Sequence, residues 1–343
     1  MTRSGSVFRL LHFVFSVLLP CAVITTAAGQ APPDSPPSYL LVPSKIPRLA
    51  LVIGAEHYHP DRGVDPVPNA LNDARRMRDV LQQSGFSFVR LLPDPDSAAE
   101  IQDYVKELQV KSGPDDDPAV LVFFFAGHGF QNGENNYIVP TGARSDYPLE
   151  DSLPVSNIVQ ALATHKHGIA VLFFDSCRTG VSETDSSVPG TTNKPVGFSA
   201  MREISGVDMG LATEFGKTAK SKVLDADVDS PYTTALAKYI SHPSMSLANV
   251  FDWVEQDVIS LTNTQKPVEV KGAFDTGFFF VPQQAELDAE RQMWQIVIQN
   301  GQPDCVNRFV YSHPGGDYLR SGLAWLADPS HPEPKGGTKC PLP

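Results

Sequence analysis

Two apolar runs of this chain, AVLVFFFA at Ala119–Ala126 and IAVLFF at Ile169–Phe174, contain no polar residue at alternate positions. A strand with one solvated face alternates apolar and polar side chains, whereas an unbroken run has to be covered on both faces. Such strands belong to parallel sheets lying between two layers of helix. The flanking sequence supplies the helices. Leu71, Ala74, Met77, Val80 and Leu81 recur at helical spacing within Asn69–Gln83, with Gly85 as a stop signal. Ser97 is a good cap for a second helix, Ser97–Val110, and a third is expected at Pro154–His165. With strands at Arg48–Gly54, Phe86–Leu92 and Tyr137–Val139, the pattern predicts an α/β fold: a three-layer sandwich with a mostly parallel central sheet.

The second half is less regular. Val181–Ser221 is polar and is interrupted by one predicted strand at Val207–Thr213. Helices are expected at Ser230–Ile240 and Ser246–Leu261, and GFFFVP at Gly277–Pro282 reads as a last strand. Beyond Ala285 the chain forms a short helical C-terminal extension, whose apolar face at Met293, Trp294 and Ile298 needs a surface to pack on. At the other end, Arg3 and Arg9 precede an apolar run from Leu10 to Ile24 and small residues at Thr25–Gly29. This is the pattern of a secretory signal rather than of a membrane span. The expected organisation is a signal peptide at 1–29, a Pro/Ser-rich linker at 30–46, an α/β domain at 47–283, the helical extension at 284–328 and a tail at 329–343. The expected location is secreted or periplasmic.

Each apolar run leads directly into a reactive side chain, His128 in the first case and Cys177 in the second. Ligands of parallel sheets bind at the carboxyl ends of the strands, so both residues are expected on one rim. A thiol attacks as its thiolate and needs a base, for which histidine is the usual partner. Of four cysteines, Cys21 falls in the signal; Cys305 and Cys340 are able to pair outside a reducing compartment, leaving Cys177 as the odd thiol. The net charge of −12 and the lack of a Lys/Arg cluster argue against nucleic acid and against an acidic membrane surface as partners. Asp175 precedes Cys177 by two, which on a strand puts a carboxylate on the nucleophile's side.

VIGAEHY (Val52–Tyr58), VPNALNDARRM (Val67–Met77), FFFAGHG (Phe123–Gly129), YIVP (Tyr137–Pro140), FFDSCRTG (Phe173–Gly180), SPYTTAL and the closing QKP…GFFF occur in the order seen in bacterial caspase-like proteases. The chain resembles that family, relatives of metacaspases with the caspase-hemoglobinase fold (peptidase family C14), over about Arg48–Pro282. The spacing agrees, since a caspase histidine lies roughly 50 residues upstream of its cysteine. The resemblance implies a cysteine endopeptidase with a Cys177–His128 dyad and an oxyanion hole formed by the N–H groups of Gly129 and Cys177. It also implies substrate-binding carboxylates at Asp73 and Asp175. Two carboxylates on one pocket wall suit a guanidinium or ammonium, and Val67 stands where animal caspases carry a pocket arginine. Cleavage after Arg or Lys of a protein or peptide substrate is therefore expected, with self-processing in the loop after Cys177. No cofactor or metal is required by this reading, although many metacaspases use calcium and Asp225, Asp227 and Asp229 alternate near the relevant region. Ala126 and Glu56 depart from the family pattern, and Glu56 has no evident role. A catalytically silent scaffold and an asparaginyl or gingipain-type peptidase stay open as alternatives, as does the choice between monomer and homodimer.

Overall fold

The computed structural model describes residues 38–144, 149–163, 167–178, 197–224, 228–272 and 277–340, without the side chains of Ser38, Tyr39, Cys177 and Arg178. The expected signal peptide, much of the loop after Cys177, and Asp225 and Asp227 lie outside the described residues. The central sheet has the order β2-β1-β3-β6-β7-β8. Its parallel strands are β1 (Arg48–Gly54), β2 (Phe88–Pro93), β3 (Ala119–Asn132), β6 (Gly168–Arg178) and β7 (Val207–Leu211). One short antiparallel strand, β8 (Val268–Val270), pairs with β7. Two more, β4 (Asn135–Ile138) and β5 (Leu153–Pro154), form an antiparallel offshoot on the far end of β3.

Both faces of the sheet are covered, as the unbroken apolar runs require. Helix α1 (Ala70–Gln83) packs on β1, β2 and β3 and on α4 (Pro231–Ile240), which packs on α5 (Leu247–Thr262). Helix α2 (Ala98–Ser112) packs on β1 and on α3 (Val155–Leu162). Phe123, Phe124, Phe125, Phe173 and Phe174 are fully buried, and each contributes about 2–3 kcal/mol by leaving water. Gly54 permits the close approach of α1, because a Cβ there would lie 2.5 Å from the Ala70 carbonyl oxygen. Among the described residues no helix is long and apolar enough to cross a membrane.

Two expectations are corrected. GFFFVP is not a ladder strand, and the last strand is β8 at Val268–Val270. The segment is extended, with Phe278 and Phe280 buried, which mimics strand alternation. Its carbonyls instead accept from the α4–α5 connection, with Ser244 N–H on Val281 O at 3.1 Å and Leu247 N–H on Phe278 O at 2.9 Å. The linker at 30–46 is not a free tether throughout. Ser38–Leu41 forms a short 3₁₀ helix whose Leu40 is buried, and the Trp294 indole N–H donates to the Leu40 carbonyl at 2.7 Å.

The C-terminal extension comprises α6 (Gln284–Asn300), α7 (Pro303–Ser312) and α8 (Leu319–Ala327). It shares a small core with Leu40, built on Trp294, Val297, Ile298, Val306, Phe309, Tyr318 and Trp325. Val310 and Leu319 face the main core instead, and Gly277 N–H donates to Ser312 O at 3.2 Å, so the extension is docked on the α/β body. The Cys305–Cys340 disulfide and the Asp304 carboxylate, which accepts from the N–H groups of Lys335 and Gly336 at 2.8 Å, fold the tail back onto α7.

Next to the edge strand, Asp208 on β7 is buried and accepts from Gly272 N–H at 2.6 Å. Burial pushes its carboxyl up to about 6, against the weaker pull of Gly272 and Lys271. A carboxyl raised on folding contributes stability below its unfolded value that is lost as pH rises through the folded value. Asp208→Asn keeps the acceptor without the charge. It is expected to raise stability at pH 8 by about 1–3 kcal/mol and to leave it nearly unchanged at pH 4. Urea midpoints at the two pH values check this.

Candidate active site

The carboxyl ends of β1, β3 and β6 form one rim, and β3 runs past it. The apolar run ends at Ala126, but Gly129–Asn132 continue β3 by pairing with β4. His128 therefore sits inside a strand, on a segment whose neighbour changes from β1 to β4. It is buried, and its ring nitrogen Nε2 lies 2.8 Å from the Asp65 backbone carbonyl. A carbonyl oxygen only accepts, so Nε2 carries the proton and Nδ1 is the basic nitrogen of the neutral ring. The Tyr58 ring packs against the imidazole at 4.7 Å between centroids.

β3 and β6 are in register up to Ala126↔Asp175, and the next pair is His128↔Arg178. β3 advances two residues while β6 advances three, so β6 accommodates an extra residue within Ser176–Cys177. Bulges of this kind re-aim a strand at its rim. The backbone of residue 177 is thus one step from the register partner of His128, on the adjacent strand about 5 Å away. Val139 N–H donates to His128 O at 3.0 Å, which makes Gly129↔Ile138 a pair without mutual hydrogen bonds. The Gly129 N–H consequently points away from β4 and toward β6. A side chain at Gly129 is excluded, because a Cβ would lie 2.6 Å from the ring of Phe198 and 3.0 Å from Ser176 Oγ.

Asp73 and Asp175 meet at one residue, Ser230. Asp73 lies in the first turn of α1 and accepts from Ser230 N–H through Oδ1 at 2.7 Å. Asp175 Oδ2 accepts from Ser230 Oγ and from Thr233 Oγ1, the latter at 2.8 Å. Ser230 is also the N-cap of α4, its hydroxyl accepting from Thr233 N–H at 2.9 Å. Both carboxylates are fully buried, and an anion in that environment persists only where donors surround it. Asp229 joins them. Burial raises its carboxyl, Arg76 lowers it and Asp175 raises it again. Among the described residues no cluster of three His, Cys, Asp or Glu side chains is arranged for a metal ion.

Several residues at this rim were not identified from sequence. Glu56 now has a role: Oε2 accepts from Leu71 N–H at 3.0 Å and so caps α1, whose own N-cap residue Asn69 is left-handed (φ 74°) and donates its side chain to Ser221 O at 3.0 Å. Asp94 braces the same loop by accepting from the N–H groups of Glu56 (2.7 Å) and His57 (3.0 Å). The one sequence cue for Ser230 was its position as a serine cap before Pro231. Asn136 and Ser199 exchange hydrogen bonds at 2.7 and 3.0 Å, pinning the segment that begins at Gly197 onto β4.

Ser230→Ala removes the hydroxyl's bond to Asp175 and the helix cap, leaving a buried carboxylate with one donor fewer. A loss of about 2 kcal/mol in unfolding free energy is expected, read from denaturant curves. A variant as stable as the parent would contradict the bridging role.

The profile described as the peptidase C14 caspase domain matches residues 47–278. Mucosa-associated lymphoid tissue lymphoma translocation protein 1 of Homo sapiens is 27% identical over 150 residues, covering 41% of this chain and 16% of that protein. Its homolog in Mus musculus is 27% identical over 146 residues with the same coverage. The similarity thus spans about a sixth of the length of these relatives. Among solved structures, caspase-1 from Spodoptera frugiperda is similar with a TM-score of 0.49 and 13% identity, over 70% of this chain and 94% of that one.

Proposed function

The chain belongs to the caspase domain family of peptidases, and on that premise we propose that it is a cysteine endopeptidase that cuts peptide bonds after Arg or Lys. The observation that supports the specificity is the joining of Asp73, on α1, to Asp175, on the strand that bears Cys177, through Ser230. Two buried carboxylates held by fixed donors form a rigid anionic wall, which favours a guanidinium or ammonium and rejects an aspartate side chain.

In the proposed reaction the Cys177 thiol passes its proton to His128 Nδ1 and the thiolate attacks the scissile carbonyl. The Asp65 carbonyl holds the opposite ring nitrogen, which fixes the tautomer and supports the imidazolium. The N–H groups of Gly129 and Cys177 would receive the developing oxyanion, a role supported by the Gly129 amide facing away from β4. His128 then protonates the leaving amine, and water hydrolyses the thioester. Side chains and backbone suffice for these steps, so no cofactor is assigned. Self-processing is proposed in the segment after Cys177, where Arg202 is exposed. Lys220 is a poorer site because its ammonium and amide are tied to Thr262 and Gln265. The Cys305–Cys340 disulfide supports a secreted or periplasmic location.

Fluorogenic peptides ending in Arg, Lys or Asp, with and without calcium, test this reading. Arginyl and lysyl peptides are expected to turn over roughly 100-fold faster than aspartyl ones, and Cys177→Ala to abolish hydrolysis and, in a gel time course, self-cleavage. Faster cleavage of the aspartyl peptide, or residual activity of Cys177→Ala near that of the parent, would refute it.

A further inference from the structure

We infer that Tyr58 is a positioning residue whose hydroxyl is built into the sheet at His128 and sets where the imidazole stands. This rests on the reading of His128 as the catalytic base. With Gly129 opposite Ile138, the antiparallel pattern makes His128 and Val139 the next hydrogen-bonded pair, which should exchange two backbone bonds. One is made, Val139 N–H to His128 O at 3.0 Å. The other is replaced by a relay: Tyr58 Oη accepts from His128 N–H at 2.9 Å and donates to Val139 O at 3.0 Å.

A phenolic oxygen thus sits between two strands where a direct N–H to O bond belongs. It wedges His128 N–H and Val139 O apart at the point where β3 exchanges β1 for β4 as its neighbour. Tyr58 is buried, and it lies on the loop between β1 and α1 that also presents the Asp65 carbonyl to His128 Nε2. One loop therefore grips the histidine twice, through the main chain at Tyr58 and through the ring at Asp65. The Tyr58 ring against the imidazole supplies a third contact. Loss of the hydroxyl alone lets the His128–Val139 bond close directly. That closure draws His128 toward β4, away from the Cys177 strand and out of line with Asp65.

Tyr58→Phe retains the ring and tests the hydroxyl alone; Tyr58→Leu removes both, and each variant is assayed below its own melting transition. Tyr58→Phe is expected to lower kcat on an arginyl peptide by roughly 10–100-fold with KM within about threefold, because the pocket carboxylates are untouched. A kcat within twofold of the parent would overturn the inference. A second readout does not depend on peptidase activity. In the Cys177→Ala background, nitrogen NMR of His128 is expected to show a single Nε2–H tautomer with Tyr58 present and a tautomer mixture in Tyr58→Phe. Identical His128 spectra would overturn the inference even if no peptide is cleaved, whereas an inactive parent with the expected spectral change would refute only the protease reading.

Discussion

The parallel pairing of β3 with β6, unbroken from Ala119↔Gly168 to Ala126↔Asp175, sets His128, Asp175 and Cys177 at one rim. Both strands are buried on both faces, so neither can slip without moving Phe123–Phe125 and Phe173–Phe174 out of the core. Register is therefore enforced by hydrophobic burial, and the first place it can relax is where the apolar runs end. That place is where Gly127, His128 and Gly129 on one strand meet Ser176 and Cys177 on the other. The extra residue in β6 and the change of neighbour on β3 both occur there. The apolar core holds the strands, and the polar rim reshapes their ends.

The acidic side of the rim follows the same logic with different chemistry. Burying Asp73 and Asp175 is costly unless donors are supplied, and the N-terminus of α4 supplies them through Ser230 and Thr233. One residue thereby caps a helix and connects α1 to β6. In the proposed pocket, structural and recognition roles of the carboxylates are therefore not alternatives. The groups that fix the anions in place also define which way they present charge.

Much of the fold was legible in the sequence because its signals are local. The uninterrupted apolar runs mark β1, β3 and β6, helical spacing marks α1, and helical spacing with serine caps marks α2, α4 and α5 to within a few residues. Misreadings arose where local pattern and long-range pairing diverge. Phe278 and Phe280 alternate like strand residues yet plug the core, and SYLL within a Pro/Ser-rich stretch is an anchor for Trp294. At the site, His128, Cys177, Asp73 and Asp175 stand out as candidates because short motifs carry them, and the structure sets His128 beside the strand of Cys177 and joins Asp73 to Asp175 through Ser230. Glu56, Asp65 and Tyr58 could not, since Asp65 acts through its backbone carbonyl and Tyr58 replaces a ladder bond 70 positions away. No periodicity encodes such contacts.

In the proposed chemistry Cys177 is a nucleophile activated at this rim beside a pocket for a basic side chain. The most direct measurement is incubation of the intact protein with an arginyl chloromethylketone, followed by peptide mass mapping, in parallel with an aspartyl probe and a His128→Ala variant. A single adduct on Cys177 is expected, forming rapidly with the arginyl probe and slowly with the aspartyl probe and suppressed in His128→Ala. Absence of the adduct, or equal labelling by both probes and in both proteins, would contradict it.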